Sequence, residues 1–219
     1  MIDPGLAFIF DMDGVIVDSN PVHRLAWTAY NRRFGLEVTD ATQHLIFGRR
    51  NDDIVRGFFG DGLSPEEVAA RGAAKEVMYR EMLGERIGEI LVPGVRQFLE
   101  RYRQVPMALA SNAERPNIDF LLDRAGLRPY FRVVMDGHDV QKPKPDPEIY
   151  LKTAENLKIS PRNCIVFEDS YSGVDAAKAA GMRVVGVSTT YEDLPGSTIT
   201  IDNFLGGHLS RWLSREKAI

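Results

Sequence analysis

The chain has a single cysteine, Cys164, in 219 residues. No internal disulfide can form, and the placement of Cys164 in the apolar run CIVF marks an inert buried thiol. No apolar run approaches the roughly 18 residues that a membrane helix needs, and the opening MIDPGLAF lacks the basic segment, long apolar stretch and small-residue cleavage site of a signal peptide. Basic clusters are missing as well: 27 Lys and Arg stand against 31 Asp and Glu, a net charge of −4, with no aromatic-basic patch. Nucleic acid and membrane are therefore not expected as partners, and the expectation is a soluble, cytoplasmic monomer acting on a small molecule. Internal repeats, low-complexity segments and disordered linkers are also absent, while 44% hydrophobic content is enough to bury a core.

What is present begins with LAFIFDMDGVIVDS, residues 6–19. Residues 6–10 read as a short strand buried on both faces, as in a parallel sheet covered by helices. The strand ends in Asp11, Met12, Asp13 and Gly14, so two carboxylates follow the carboxyl end of a buried strand, where open α/β sheets place their chemistry. Two such carboxylates raise each other's pKa unless compensated, and a divalent metal compensates both. Gly14 lets the backbone turn and approach a ligand closely.

Residues 21–91 then carry helical signals only. His23, Ala26, Trp27, Tyr30 and Phe34 fall at helix spacing, with Asn20 as N-cap and Gly35 as stop. Residues 52–59 give a second short helix, and Ser64-Pro65-Glu66-Glu67 is a capping box opening a third that runs to about Leu83. Beyond residue 91 strands and helices alternate, with strands at 106–110, 132–135, 164–167 and 183–187 and an edge strand at 198–201, which predicts a parallel α/β sheet with right-handed crossovers. Chemistry-bearing residues follow the strands. The second ends in Ser111-Asn112, suited to a small anion at a helix N-terminus; the third is followed by Lys142 on the proline-stiffened stretch QKPKPDP; the fourth ends in Glu168-Asp169-Ser170. Taken singly, each is also read as a helix cap, a turn or a solvated lysine. Together, each just past its own strand, they suit phosphoryl transfer, in which positioning and charge neutralisation dominate.

DMDGVIVDS, ALASNA, the lysine of KPKPD and VFEDSYSG resemble, in order and context, the four motifs of the haloacid dehalogenase-like superfamily. The helical insertion resembles its C1 cap, and HRLAW resembles the β-phosphoglucomutase-like subgroup. The resemblance implies a Rossmann-like core of residues 1–15 and 92–219 with an inserted all-helical cap of residues 16–91, hinged near 15–20 and 88–93. It implies Asp11 as the nucleophile that forms an aspartyl phosphate, and Asp13 as the general acid and base. It further implies Mg²⁺ held by Asp11, the Asp13 carbonyl and Asp169, with Glu168 as a ligand or an orienter of metal-bound water. Ser111, Asn112 and Lys142 would bind the transferring phosphoryl group.

Within the cap, His23, Trp27 and the Gly48-Arg49-Arg50-Asn51 turn are candidates for substrate contact, with core packing and a solvated arginine pair as the competing readings. A mutase needs a second phosphate held by a Ser-Lys-Asn-like set after the second motif, where this chain has Ala113, Glu114 and Arg115. Arg49, Arg50 or Arg115 would have to compensate, and Glu114 would repel a phosphate. The expectation is therefore a Mg²⁺-dependent phosphatase of a small sugar phosphate, with a β-phosphoglucomutase as the alternative and a non-catalytic phosphometabolite-binding module as the alternative of another class. A dehalogenase is disfavoured by Asp13 and Asp169. A phosphonatase is disfavoured because the cap's one lysine, Lys75, falls within a helix read as amphipathic.

Overall fold

The structure, a computed structural model, describes residues 5–39, 42, 45–84 and 86–215. Six parallel strands, β1 (Ala7–Phe10), β2 (Met107–Ala110), β3 (Val133–Met135), β4 (Cys164–Glu168), β5 (Arg183–Val187) and β6 (Ile199–Ile201), form one sheet in the order β3-β2-β1-β4-β5-β6. The chain order reverses about β1, so both neighbours of the central strand feed their carboxyl ends toward the residues that follow it. The register makes this concrete, since Phe10 pairs with Leu109 on one side and Phe167 on the other. Asp11, Ser111, Glu168 and Asp169 thus leave the sheet along one edge.

The alternation of β1 divides the core. Phe8 and Phe10 face one layer, where α4 (Val95–Arg101), α5 (Arg115–Arg124) and α8 (Gly207–Arg215) cover an aromatic cluster of Phe8, Phe10, Phe98, Phe167 and Phe204. The rings of Phe10 and Phe167 stack at 4.5 Å directly behind the acids. Ala7 and Ile9 face the other layer, closed by α6 (Glu148–Leu157) and α7 (Tyr171–Ala179). Cys164 is fully buried in this second layer. Close packing on both faces fixes the strand ends, and with them the acids, against displacement.

Helices α1 (Asn20–Arg32), α2 (Asn51–Phe59) and α3 (Pro65–Leu83) lie between β1 and β2 in sequence and share a separate apolar cluster of Trp27, Tyr30, Ile46, Ile54, Val55 and Val68. The capping box at α3 forms as the sequence predicts, Ser64 Oγ accepting from the Glu67 amide at 3.2 Å and Glu67 Oε2 from the Ser64 amide at 2.8 Å. The two chain segments joining this insertion to the sheet are laced together, Asp18 N donating to Ile90 O at 2.7 Å and Val92 N to Ile16 O at 3.0 Å. Two local expectations change. Ser19, not Asn20, occupies the N-cap position of α1, and α8, short and anchored by Leu209 and Leu213, has no counterpart in the sequence reading.

Candidate active site

Backbone geometry brings the acids together before any side chain contributes. The Asp11 amide donates to Phe167 O at 3.0 Å, continuing the β1–β4 pairing one residue past the strand and holding Asp11 beside Glu168 and Asp169. Gly14 then turns with φ +78°, and a Cβ there would overlap the Asp169 carboxylate. Gly173 is required for the same reason by Glu168, which a Cβ would also overlap.

Asp11, Glu168 and Asp169 are buried and each places one carboxylate oxygen within 4.8 Å of the other two. One ammonium answers them. Lys144 Nζ donates to Asp11 Oδ1 at 2.8 Å, to Glu168 Oε1 at 2.7 Å and to Ala110 O at 3.0 Å. Burial works against the Lys144 charge, but Asp11 and Glu168 outweigh it and carry its pKa above the ordinary lysine value. The carboxylates remain in excess. Burial first, then the charges of Glu168 and Asp13 against the opposing pull of Lys144, raise Asp11 to about 7. Asp169 rises well above the usual carboxylate range through burial and its acidic neighbours. A divalent cation would supply the charge this group lacks, and an oxygen-only donor set is of the kind that suits Mg²⁺. Glu168 is already heavily engaged, accepting from Lys144, from Tyr150 OH at 2.7 Å and from Ser170 Oγ and the amides of Asp169 and Ser170 at 3.0–3.1 Å. It orients Lys144, while Asp11 and Asp169 remain the carboxylates best placed for a metal.

Asp13 stands at the other side of the turn, accepting from Ser19 Oγ and facing His23 Nε2 at 3.4 Å. The His23 ring stacks on Tyr79 at 3.9 Å, and its Nδ1 lies 3.3 Å from Lys75 Nζ. Ser111 Oγ accepts from the Ala113 amide at 3.1 Å, which leaves its own hydrogen for a ligand. Asn112 reaches across to the insertion, Nδ2 donating to Gly48 O at 3.0 Å.

These groups line one cavity between the sheet edge and the helical insertion. Asp11, Asp13, Ser111, Asn112 and Asp169 form its floor; His23, Trp27, Gly48 and Arg49 reach it from the insertion. Its volume of about 60 Å³ holds roughly four waters.

Three expected residues are elsewhere. Lys142 is corrected to Lys144: the Lys142 amide is held by Glu148 Oε2 at 3.0 Å, its side chain is 74% exposed, and its ammonium lies 3.8 Å from Asp146. The two lysines alternate with prolines in QKPKPDP, so the local sequence does not distinguish them. The loop's path does, because Asn112 Oδ1 takes the Lys144 amide at 3.4 Å and turns that side chain inward. Arg50 points away from the cavity, donating to Gly137 O and Val140 O. Arg115 lies exposed along its own helix, bonded to Asp119 at 2.9 Å.

Other site residues were missed. Asn20 and Thr190 both bond to Asp169. Lys75 and Glu76 are buried, line the cavity and pair with each other. The signal was present in the stripe Val68, Gly72, Lys75, Glu76, Tyr79 and Leu83, spaced for a single buried face of α3. Lys75 therefore reaches the cavity from within the buried face of α3. Burial lowers the Lys75 pKa, against the opposing pull of Glu76, to which its ammonium is bound.

Residues 6–181 match the model of the haloacid dehalogenase-like hydrolase family. A phosphorylated carbohydrates phosphatase of Thermotoga maritima is 36% identical over 194 residues, covering 85% of this chain and 87% of that protein. A fructose-1-phosphate phosphatase of Escherichia coli is 33% identical over 180 residues, covering 82% and 94%. Among solved structures, a β-phosphoglucomutase from Clostridium difficile superposes with a TM-score of 0.84 at 27% identity, covering 99% of both chains.

Proposed function

Because the chain belongs to the haloacid dehalogenase-like hydrolase family and is a phosphoryl-transfer enzyme, we propose that it is a Mg²⁺-dependent phosphatase that hydrolyses a small sugar phosphate through an aspartyl phosphate on Asp11. Residues 1–15 and 92–219 form the catalytic core in this reading, and residues 16–91 form a cap. The cavity lies between the cap and the core, and in this reading the cap opens to admit substrate and closes to exclude water.

An Asp11 oxygen attacks phosphorus, the bond to the sugar oxygen breaks, and Asp13 gives its proton to that oxygen. Asp13 then takes a proton from the water that attacks the phosphoaspartate, releasing inorganic phosphate and restoring Asp11. Lys144 and the Ser111 hydroxyl supply hydrogen bonds to the phosphoryl oxygens, where preorganised donors contribute most. Ser19 and His23 hold Asp13 in place for both proton transfers. Asp11, Asp169 and the Asp13 carbonyl would hold Mg²⁺, which when bound offsets the negative charge gathered around the phosphoryl group.

The observation that favours hydrolysis over mutase chemistry is at Glu114. Its carboxylate accepts from Asn51 Nδ2 at 2.7 Å across the boundary between cap and core, and the neighbouring Arg115 is turned to Asp119. No cation from this segment is left to grip a second, non-transferring phosphate. The names of the Thermotoga and Escherichia relatives support a sugar phosphate as substrate. Incubation with β-glucose 1-phosphate, Mg²⁺ and a trace of β-glucose 1,6-bisphosphate, followed by ³¹P NMR and a panel of other sugar phosphates, tests the reading. Inorganic phosphate is the expected product from at least one panel member. Glucose 6-phosphate forming without it would establish the mutase instead.

A further inference from the structure

Opposite Asp11, the cap end of the cavity has a hydrogen-bonding character that the reaction does not account for. Glu76, 4% exposed, accepts from Lys75 Nζ, from Asn51 Nδ2 at 2.8 Å and from Asn117 Nδ2 at 2.6 Å. A carboxylate offers about four lone-pair positions, so one acceptor position on Glu76 is left. Trp27 also lines the cavity and is fully buried, and its indole N–H has no hydrogen-bond partner. An orphaned buried donor costs free energy unless a ligand supplies an acceptor. Both adjoin the Lys75 ammonium, which bonds Glu76 and sits 4.8 Å above the Trp27 ring.

An open acceptor and an open donor lining one cavity match a polyhydroxylated body, whose hydroxyl groups both donate and accept. A phosphate dianion has acceptors only. At this end it would meet the Glu76 carboxylate, whose partner Asn51 is also held by Glu114. Of the two cap cations that line the cavity, Lys75 is already paired with Glu76, and Arg49 enters from the Gly48 turn rather than from α3. We infer that Glu76 and Trp27 are specificity-determining residues that select a polyhydroxylated substrate body carrying one phosphate and reject a body carrying a second. The inference rests on the phosphatase reading and extends it from the reacting phosphate to the remainder of the substrate.

The test compares kcat/KM of the full-length enzyme with Mg²⁺ on fructose 1-phosphate, glucose 6-phosphate, glucitol 6-phosphate, fructose 1,6-bisphosphate and p-nitrophenyl phosphate. The best monophosphate is expected to exceed both the bisphosphate and the aryl ester by about 10- to 100-fold, the range over which a hydrogen-bonding subsite discriminates modestly. In Glu76→Gln both ratios narrow by about tenfold or more. In Trp27→Phe, which keeps a ring and removes the N–H, the ratio to p-nitrophenyl phosphate narrows while rejection of the bisphosphate persists. Ratios taken within one variant cancel any loss of folded enzyme. A bisphosphate hydrolysed as well as the best monophosphate, no preference for any polyhydroxylated monophosphate, or ratios unmoved in both variants would overturn the inference. Absence of p-nitrophenyl phosphate and sugar phosphate hydrolysis by the unmodified enzyme would overturn the phosphatase reading beneath it.

Discussion

Replacing Lys144 by Met, beside Lys142→Ala as its counterpart, gives the sharpest test of how the site is assembled. Lys144 Nζ contacts Asp11 and Glu168 at 2.8 and 2.7 Å with its side chain 2% exposed. Methionine approximates its length and volume, so the packing loss is small and the charge loss dominates. Breaking a buried ion pair by removing one partner costs about 3–5 kcal/mol, because the remaining charge is left uncompensated. Here two carboxylates lose one cation, and Asp11, already raised to about 7, is driven toward its protonated, non-nucleophilic form. The expected result is a loss of about 3 kcal/mol or more in urea denaturation, together with a fall in kcat on p-nitrophenyl phosphate of at least about 100-fold. Lys142, exposed and 3.8 Å from Asp146, belongs with surface pairs whose median contribution is about 0–1 kcal/mol, and Lys142→Ala should change neither measurement beyond that. Activity lost in Lys142→Ala and kept in Lys144→Met would refute the assignment.

Gly14→Ala forces a side chain onto a φ of +78° and into the Asp169 carboxylate; a loss of about 1–3 kcal/mol and a weakened Mg²⁺ dependence are expected, read from melting curves and metal titration. If Asp11 and Asp169 hold Mg²⁺, saturating metal at about 100 times its Kd stabilises the protein by about 2.7 kcal/mol, seen as a rise of about 5–10 °C in Tm; Asp169→Asn should abolish most of that rise. Burial pushes the Glu76 carboxyl up, but Lys75, His23 and Asn117 outweigh it and hold its pKa at about 2. The unfolded chain then takes up a proton at Glu76 before the folded one does. Stability from this group is complete above about 4.5 and falls as pH drops toward 2, and Glu76→Gln should flatten that part of the acid-unfolding profile.

Much of this molecule was determined by short stretches of its sequence. β1, β4 and the acids at their ends were legible because a continuous apolar run ending in Asp or Glu needs only local chemistry to be read, and the capping box of α3 depends on four adjacent residues. The parallel sheet followed from the alternation of such runs with helical segments, and the insertion from the strandless interval between the first strand and the second. Tertiary structure decided which similar residue faces inward. Lys142 and Lys144 have nearly identical neighbours in sequence, and the tertiary contacts of their amides separate them, Lys142 bonding to Glu148 and Lys144 to Asn112, which follows β2. Arg49 lines the cavity while Arg50 reaches carbonyls near β3, a choice set by how the insertion docks on the core. Lys75 and Glu76 occupy positions on α3 that the apolar pattern assigns to the interior, yet what makes their burial tolerable is supplied from elsewhere: each other's charge, His23 on α1, Asn51 on α2 and Asn117 on α5. Secondary structure and the ends of buried strands follow local rules, whereas the direction of a long polar side chain depends on partners tens of residues away.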